Sequence, residues 1–138
     1  MTKIINEFCH IGKGEIITSK NTDVYRIALS VEPDIVELAR ALIPQYIGLN
    51  RTKYSPHISI VRDIIIDPKW QLYNGEIVEY YYSSTIHYDK IYYWLNAESF
   101  RLRQIRTELN LCEIDWYNRP PDRANCFHIT IGNLKNRI

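Results

Sequence analysis

The sequence predicts an α+β domain built from two related halves, and three observations predict it. The order strand, helix, strand can be read twice along the 138 residues. Each half closes on the same pattern, His57-Ile58-Ser59-Ile60 in the first and His128-Ile129-Thr130-Ile131 in the second. Hydrophobic residues make up 46% of the chain and charged residues 24%, ordinary proportions for one globular unit, and no linker or low-complexity tract divides it. The chain is therefore read as a single domain, 1–138, with two lobes and pseudo-twofold organisation.

The elements follow in order. The first twenty residues, including Gly12-Lys13-Gly14-Glu15, predict an extra strand or hairpin that caps the domain. Residues 23–31 read as a strand with Tyr25, Ile27 and Leu29 on one face and Arg26 on the other. Residues 32–48 change to helical spacing. Ile35, Leu38, Ala39, Leu42 and Ile43 form an apolar stripe, Pro33 suits the first turn, and Pro44 ends or bends the helix. Pro56 introduces a strand at 57–61. Two further strands are predicted at 75–89 and 90–97, then a second helix over 97–111. In that helix Leu102, Ile105 and Leu109 point inward, Asn96 is the N-cap, and Arg101, Arg103 and Arg106 lie on a solvated face. Residues 116–125 are loop, and 126–134 form the last strand.

Several function classes are disfavoured at once. A formal net charge of +1 argues against electrostatic capture of long duplex nucleic acid, while permitting a local basic pocket. No apolar run approaches the ~20 residues of a membrane span, and residues 1–16 lack a signal-peptide core. A cytoplasmic protein without a membrane partner is expected. Cys9, Cys112 and Cys126 are a sparse, odd set that suits a reducing compartment better than a disulfide framework. His10 follows Cys9, but no close ligand pair with regular spacing joins them to Cys112, Cys126 or His128, so no metal and no other cofactor is expected.

The two tetrapeptides carry the chemistry. On a strand, His57 and Ser59 share one face and Ile58 and Ile60 the other; His128 and Thr130 share a face against Ile129 and Ile131. Each motif thus buries two isoleucines and presents an imidazole and a hydroxyl about 7 Å apart along the chain. Two such pairs among four histidines arise by composition in only about one or two chains in a hundred. Side by side, they suit phosphoryl transfer. One neutral imidazole takes a proton from the attacking oxygen, a protonated one gives a proton to the leaving oxygen, and the hydroxyls donate to the non-bridging oxygens. A ribose 2′-OH can serve as nucleophile, and no metal is required.

These residues resemble the 2H phosphoesterase superfamily, the LigT-like or cyclic-phosphodiesterase proteins, whose signature is two His-x-Ser/Thr-hydrophobic motifs on strands of two related lobes. The resemblance covers most of the chain: residues 25–42 look like the opening strand and helix, Pro56–Val61 like the first motif, 91–109 like the following strand and helix, and Phe127–Lys135 like the second motif. It implies a bilobal fold in which two pseudo-symmetric lobes set antiparallel sheets along a central cleft, with helices outside. It also implies that His57, Ser59, His128 and Thr130 carry the activity. Phe127 stands where many members have proline, and Gly132 and Asn133 where many bacterial members carry a basic residue. Compact members occur in phages, where one group degrades the cyclic oligonucleotide signals of bacterial antiviral (CBASS) defence. The expected activity is hydrolysis of phosphodiester bonds in small ribonucleotides, cyclic nucleotides or oligonucleotides first. The alternatives are action on 2′,3′-cyclic or other RNA ends, including a ligase-like activity, and a non-catalytic nucleotide-binding module.

Candidate substrate contacts surround the motifs. Arg26 is the charge on the polar face of its strand, Tyr54 precedes the first motif, Trp116 and Tyr117 lie in the loop before the second, and Lys135 follows it. Aromatic residues there can stack on a base. Alternation places Arg62 with Ile58 and Ile60, away from the catalytic face, and His87, without a hydroxyl two residues on, is read as structural.

Overall fold

Two β-β-α-β units follow one another in the computed structural model, which describes residues 7–64, 66–115, 118 and 123–135. The first unit holds β1 (His10–Asn21), β2 (Val24–Ser30), α1 (Pro33–Ala41) and β3 (His57–Asp63). The second holds β4 (Ile77–Tyr88), β5 (Tyr92–Glu98), α2 (Phe100–Glu108) and β6 (Phe127–Asn133). Short 3-10 turns at Gln45–Ile47 and Pro68–Tyr73 complete the connections. All strand pairings are antiparallel, and the strands close into a ring in the order β1-β2-β3-β6-β5-β4. Read outward from either motif strand, the order is the same: β3-β2-β1 on one side and β6-β5-β4 on the other. The two strands bearing the His-x-Ser/Thr motifs are therefore neighbours.

The apolar face of this ring and the buried faces of both helices merge in one core. Ile27, Leu29, Ile58, Ile60, Ile129 and Ile131 from the strands meet Ile35, Val36, Ala39, Leu102 and Ile105 from the helices. The N-terminal segment is a full member of the ring rather than a cap, since β1 pairs with both β2 and β4. Its glycines make that possible. A Cβ at Gly12 would lie 2.4 Å from the ring of buried Tyr80, and one at Gly14 only 1.8 Å from the carbonyl oxygen of Ser30.

Both helices differ from the sequence expectation. α1 begins at Pro33 as expected, but it buries Ile35, Val36 and Ala39, while Leu38 and Leu42 stand 71% and 72% exposed. The helix has only nine residues and ends at Ala41, ahead of Pro44, so its short contact with the sheet selects a different face from the longer stripe. α2 is also shorter than predicted, and its N-cap is Ser99, whose Oγ accepts from the Leu102 amide at 3.3 Å. Asn96 instead belongs to β5, where its side chain contacts Trp94 and His87. Leu102, Ile105 and Leu109 point inward as expected. Among the described residues, no helix is long and apolar enough to cross a membrane.

Candidate active site

The seam between β3 and β6 brings the two motifs together. Ile58 pairs with Ile129, and both are fully buried. In an antiparallel pairing that register sets His57 beside Thr130 and Ser59 beside His128, on the face opposite the isoleucines. Cross-strand neighbours have Cβ atoms roughly 4.5–5.5 Å apart. Each imidazole thus stands next to the hydroxyl of the other motif.

Both motif strands then depart from regular alternation at the same place. Against β2, Ala28 pairs with Ser59 and Ile27 with Val61, so Ile60 is an extra residue. Against β5, Trp94 pairs with Thr130 and Tyr93 with Gly132, so Ile131 is extra in the same way. Each bulge buries two consecutive residues, Ile60-Val61 and Ile131-Gly132, and returns the next side chain to the motif face. A bulge re-aims side chains in this manner. Arg62 therefore joins the side of His57 and Ser59, opposite Arg26, which corrects the sequence expectation that placed it on the isoleucine face. Asn133 takes the equivalent position in the other half, opposite Tyr92.

An arginine from the opposite half braces each bulge. Arg106 of α2 donates to the Ile60 carbonyl at 2.7 Å, to the Cys112 carbonyl at 2.6 Å and to Asp115 Oδ1 at 2.9 Å. Arg40 of α1 donates to the Ile131 carbonyl at 2.8 Å, and also to those of Leu49 and Asn50. Bulge carbonyls that leave the ladder need such partners. Arg106 is 3% exposed, so it is not part of the solvated face predicted with Arg101 and Arg103. Gly132 makes room for the Arg40 brace: a Cβ there would lie 2.7 Å from the Arg40 guanidinium and 2.5 Å from Leu49.

Both imidazoles are oriented through Nδ1. His57 Nδ1 lies 2.8 Å from the Ser55 carbonyl oxygen, which can only accept, so this nitrogen carries a proton. His128 Nδ1 lies 2.8 Å from Oδ1 of Asn118. Asn118 is buried and its backbone is anchored in turn, the main-chain N–H donating to the Asp115 carbonyl and the main-chain carbonyl accepting from the Asn125 N–H. With Nδ1 donating to Asn118, the neutral His128 ring carries its lone pair on Nε2. Burial, with added repulsion from Arg123 and His57, pushes the His128 pKa down to about 4. His128 is therefore a neutral imidazole at neutral pH.

Three cavities meet at the motifs. The largest, about 830 Å³, takes in His57 and Thr130 together with Tyr54, Tyr92, Asn133 and Lys135. A second, of about 290 Å³, shares His57 and Tyr54 with it and adds Ser59, Arg26 and Arg62. A third, of about 320 Å³, joins His128, Thr130, Ser59 and Arg62 to Tyr92 and Arg123. Their walls carry Arg26, Arg51, Lys53, Arg62, Arg123 and Lys135, and no Asp or Glu among the described residues. In a chain of net charge +1, that concentrates positive potential on one concavity, an arrangement that draws anions. Arg51 pairs with Glu37, and Arg123 lies 3.7 Å from Asp89 while its guanidinium covers the Trp94 ring at 3.5 Å.

Of the residues singled out in the sequence, His57, Ser59, His128, Thr130, Arg26, Tyr54 and Lys135 line these joined cavities. Trp116 and Tyr117 lie outside the described residues. Sequence reasoning missed Asn118, Arg123, Tyr92 and Asn133. His87 packs on Trp94 with ring centroids 6.0 Å apart and meets Asn96. Among the described residues, no group of three or more His, Cys, Asp or Glu side chains is arranged to hold a metal. Comparison with family models, curated proteins and solved structures returned no match.

Proposed function

We propose that this protein is a metal-independent phosphodiesterase of small ribonucleotides, acting as the two-histidine phosphoesterases it resembles do. The observation that carries the reading is the register at Ile58 and Ile129, which makes each motif imidazole a neighbour of the other motif's hydroxyl. The cationic walls around that point, to which no Asp or Glu among the described residues contributes, support an anionic substrate.

The roles follow from the surroundings of each ring. His128, neutral and tautomerically fixed by Asn118, is the base: Nε2 takes the proton of a ribose 2′-OH. The 2′-oxygen attacks phosphorus, the bond to the departing 5′-oxygen breaks, and His57 in its protonated form gives that oxygen a proton from Nε2. The products are a 2′,3′-cyclic phosphate and a free 5′-OH. Ser59 and Thr130 donate to the non-bridging oxygens, where charge concentrates in the transition state. Asn118 and the Ser55 carbonyl keep both rings aimed, as an oriented base requires. Cyclic nucleotides and oligonucleotides are the favoured substrates, in keeping with the phage-type members that act on antiviral signals.

A panel of cyclic mono-, di- and trinucleotides, 2′,3′-cyclic nucleotides and 2′–5′ oligoadenylates, incubated in EDTA with products read by mass spectrometry, tests the reading. Cleavage of at least one member is expected, with His57→Ala and His128→Ala each losing about 10²–10⁴-fold of the rate. Binding of the panel without cleavage would instead identify a nucleotide-binding module. Activity that EDTA abolishes and added metal restores would overturn the two-histidine scheme.

A further inference from the structure

The two halves match strand for strand around the motifs, and their differences are informative. Arg26 on β2 and Arg62 after the β3 bulge form a cross-strand pair beside Ser59. The equivalent pair in the other half is Tyr92 and Asn133. At these equivalent positions the first half carries two guanidinium groups, and the second an aromatic ring and an amide. Lys135 lies 5.3 Å from the centre of the Tyr92 ring.

Two arginines directly opposite on adjacent strands repel one another. Neither has a carboxylate at ion-pair distance among the described residues to offset that repulsion. The Nε of Arg26 is buried and has no hydrogen-bond partner among the described residues. Leaving such a donor unsatisfied costs free energy, and each instance in a native fold calls for an explanation. Both side chains line the cavity of about 290 Å³ that also holds His57, Ser59 and Tyr54.

We infer that Arg26 and Arg62 form a second phosphate subsite next to the catalytic seam, so that the substrate is a ribonucleotide bearing a second phosphate one nucleoside away from the reacting one. The inference rests on the phosphodiesterase reading for the position of the reacting phosphate. Paired guanidinium groups match phosphate oxygens in fork geometry, which the single ammonium of a lysine does not. Asn133, which lines the largest cavity with Tyr92 and lies away from the arginine pair, then faces the base and sugar on the far side of the scissile bond. The substrate is thereby given a direction through the site. A 2′,3′-cyclic mononucleotide, with its single phosphate, leaves the arginine pair unfilled.

The test is an equilibrium measurement that does not depend on turnover. Isothermal titration calorimetry with adenosine 5′-monophosphate and adenosine 3′,5′-bisphosphate gives the ratio of their dissociation constants; neither contains a phosphodiester. The bisphosphate is expected to bind the protein at least about tenfold tighter. The Arg26→Gln/Arg62→Gln double variant is expected to bring the ratio to within about twofold of unity. Arg62→Gln alone, an exposed position where folding is not at risk, is expected to lower the ratio at least about threefold. A ratio below about three in the unaltered protein, or one that survives both variants, overturns the subsite. If the ratio behaves as expected but the substrate panel shows no cleavage, the subsite stands and the phosphodiesterase reading falls. Cleavage without the ratio has the opposite meaning.

Discussion

The lowered pKa of His128 makes stability depend on pH in a way that one substitution removes. In the folded protein this ring titrates at about 4, against 6.5 as the ordinary histidine value, because burial and then the charges of Arg123 and His57 oppose its protonated form. Between those two values the unfolded chain binds a proton that the folded chain does not, so the stability contributed by this residue rises with pH there. It is fully present above about 6.5, is lost as pH falls toward 4, and changes no further below that. Each pKa unit is worth 1.36 kcal/mol, so moving from pH 7.5 to 4.5 costs about 2.5 kcal/mol from this residue alone. Urea unfolding of the protein and of His128→Gln at both pH values isolates it, since other groups titrate in both proteins. The protein is expected to lose about 2.5 kcal/mol more than the variant over that range. An NMR titration of the His128 ring should give a midpoint near 4, and in a chemistry-limited assay the acid limb of kcat/KM should fall near the same pH. Equal losses in the two proteins, with a ring midpoint at or above 6, would refute the burial argument and with it the assignment of His128 as a base held neutral.

Two further outcomes test the scaffold. Replacing Arg106 by Met leaves the Ile60 carbonyl and Asp115 without their buried partner and should cost about 3 kcal/mol in urea unfolding; a loss below about 1 kcal/mol would mean that the β3 bulge needs no brace. Thiol titration with Ellman's reagent should find two reactive cysteines in the folded protein, exposed Cys9 and Cys112, and a third only in denaturant. Cys126 is buried and its pKa is pushed up to about 12, chiefly by that burial and then by Glu98, so rapid reaction of three thiols without denaturant would contradict the packing of β6.

The parts of the site legible in the sequence are those that local alternation controls. His57 with Ser59, His128 with Thr130, and Arg26 opposite Ile27 all obey the two-residue period, and the structure keeps each on the expected face. Arg62 did not, because the period fails at the Ile60 bulge. The signal was present as two consecutive apolar residues, Ile60-Val61, inside an otherwise alternating strand, matched by Ile131-Gly132 in the second half. Arg106 was hidden for another reason: on helical spacing it reads as solvated, and only the crossing of α2 over the partner half's strand gives it a carbonyl to brace. Asn118 and Arg123 come from a Pro-rich loop with no periodicity, so nothing local marks them as partners of His128. Leu38 and Leu42 read as core in the sequence but stand exposed, because hydrophobic pattern does not report where a short helix stops touching its sheet.

The proposed function requires two imidazoles to serve one phosphorus atom. A crystal structure of the protein with a nucleoside vanadate, a mimic of the five-coordinate phosphorus, tests this most directly. One vanadium centre is expected, with Nε2 of His57 and Nε2 of His128 each within about 3.2 Å of a different vanadate oxygen, and with the Ser59 and Thr130 hydroxyls on the remaining oxygens. Vanadate held by one histidine alone, with the other ring facing a separate compartment, would contradict it.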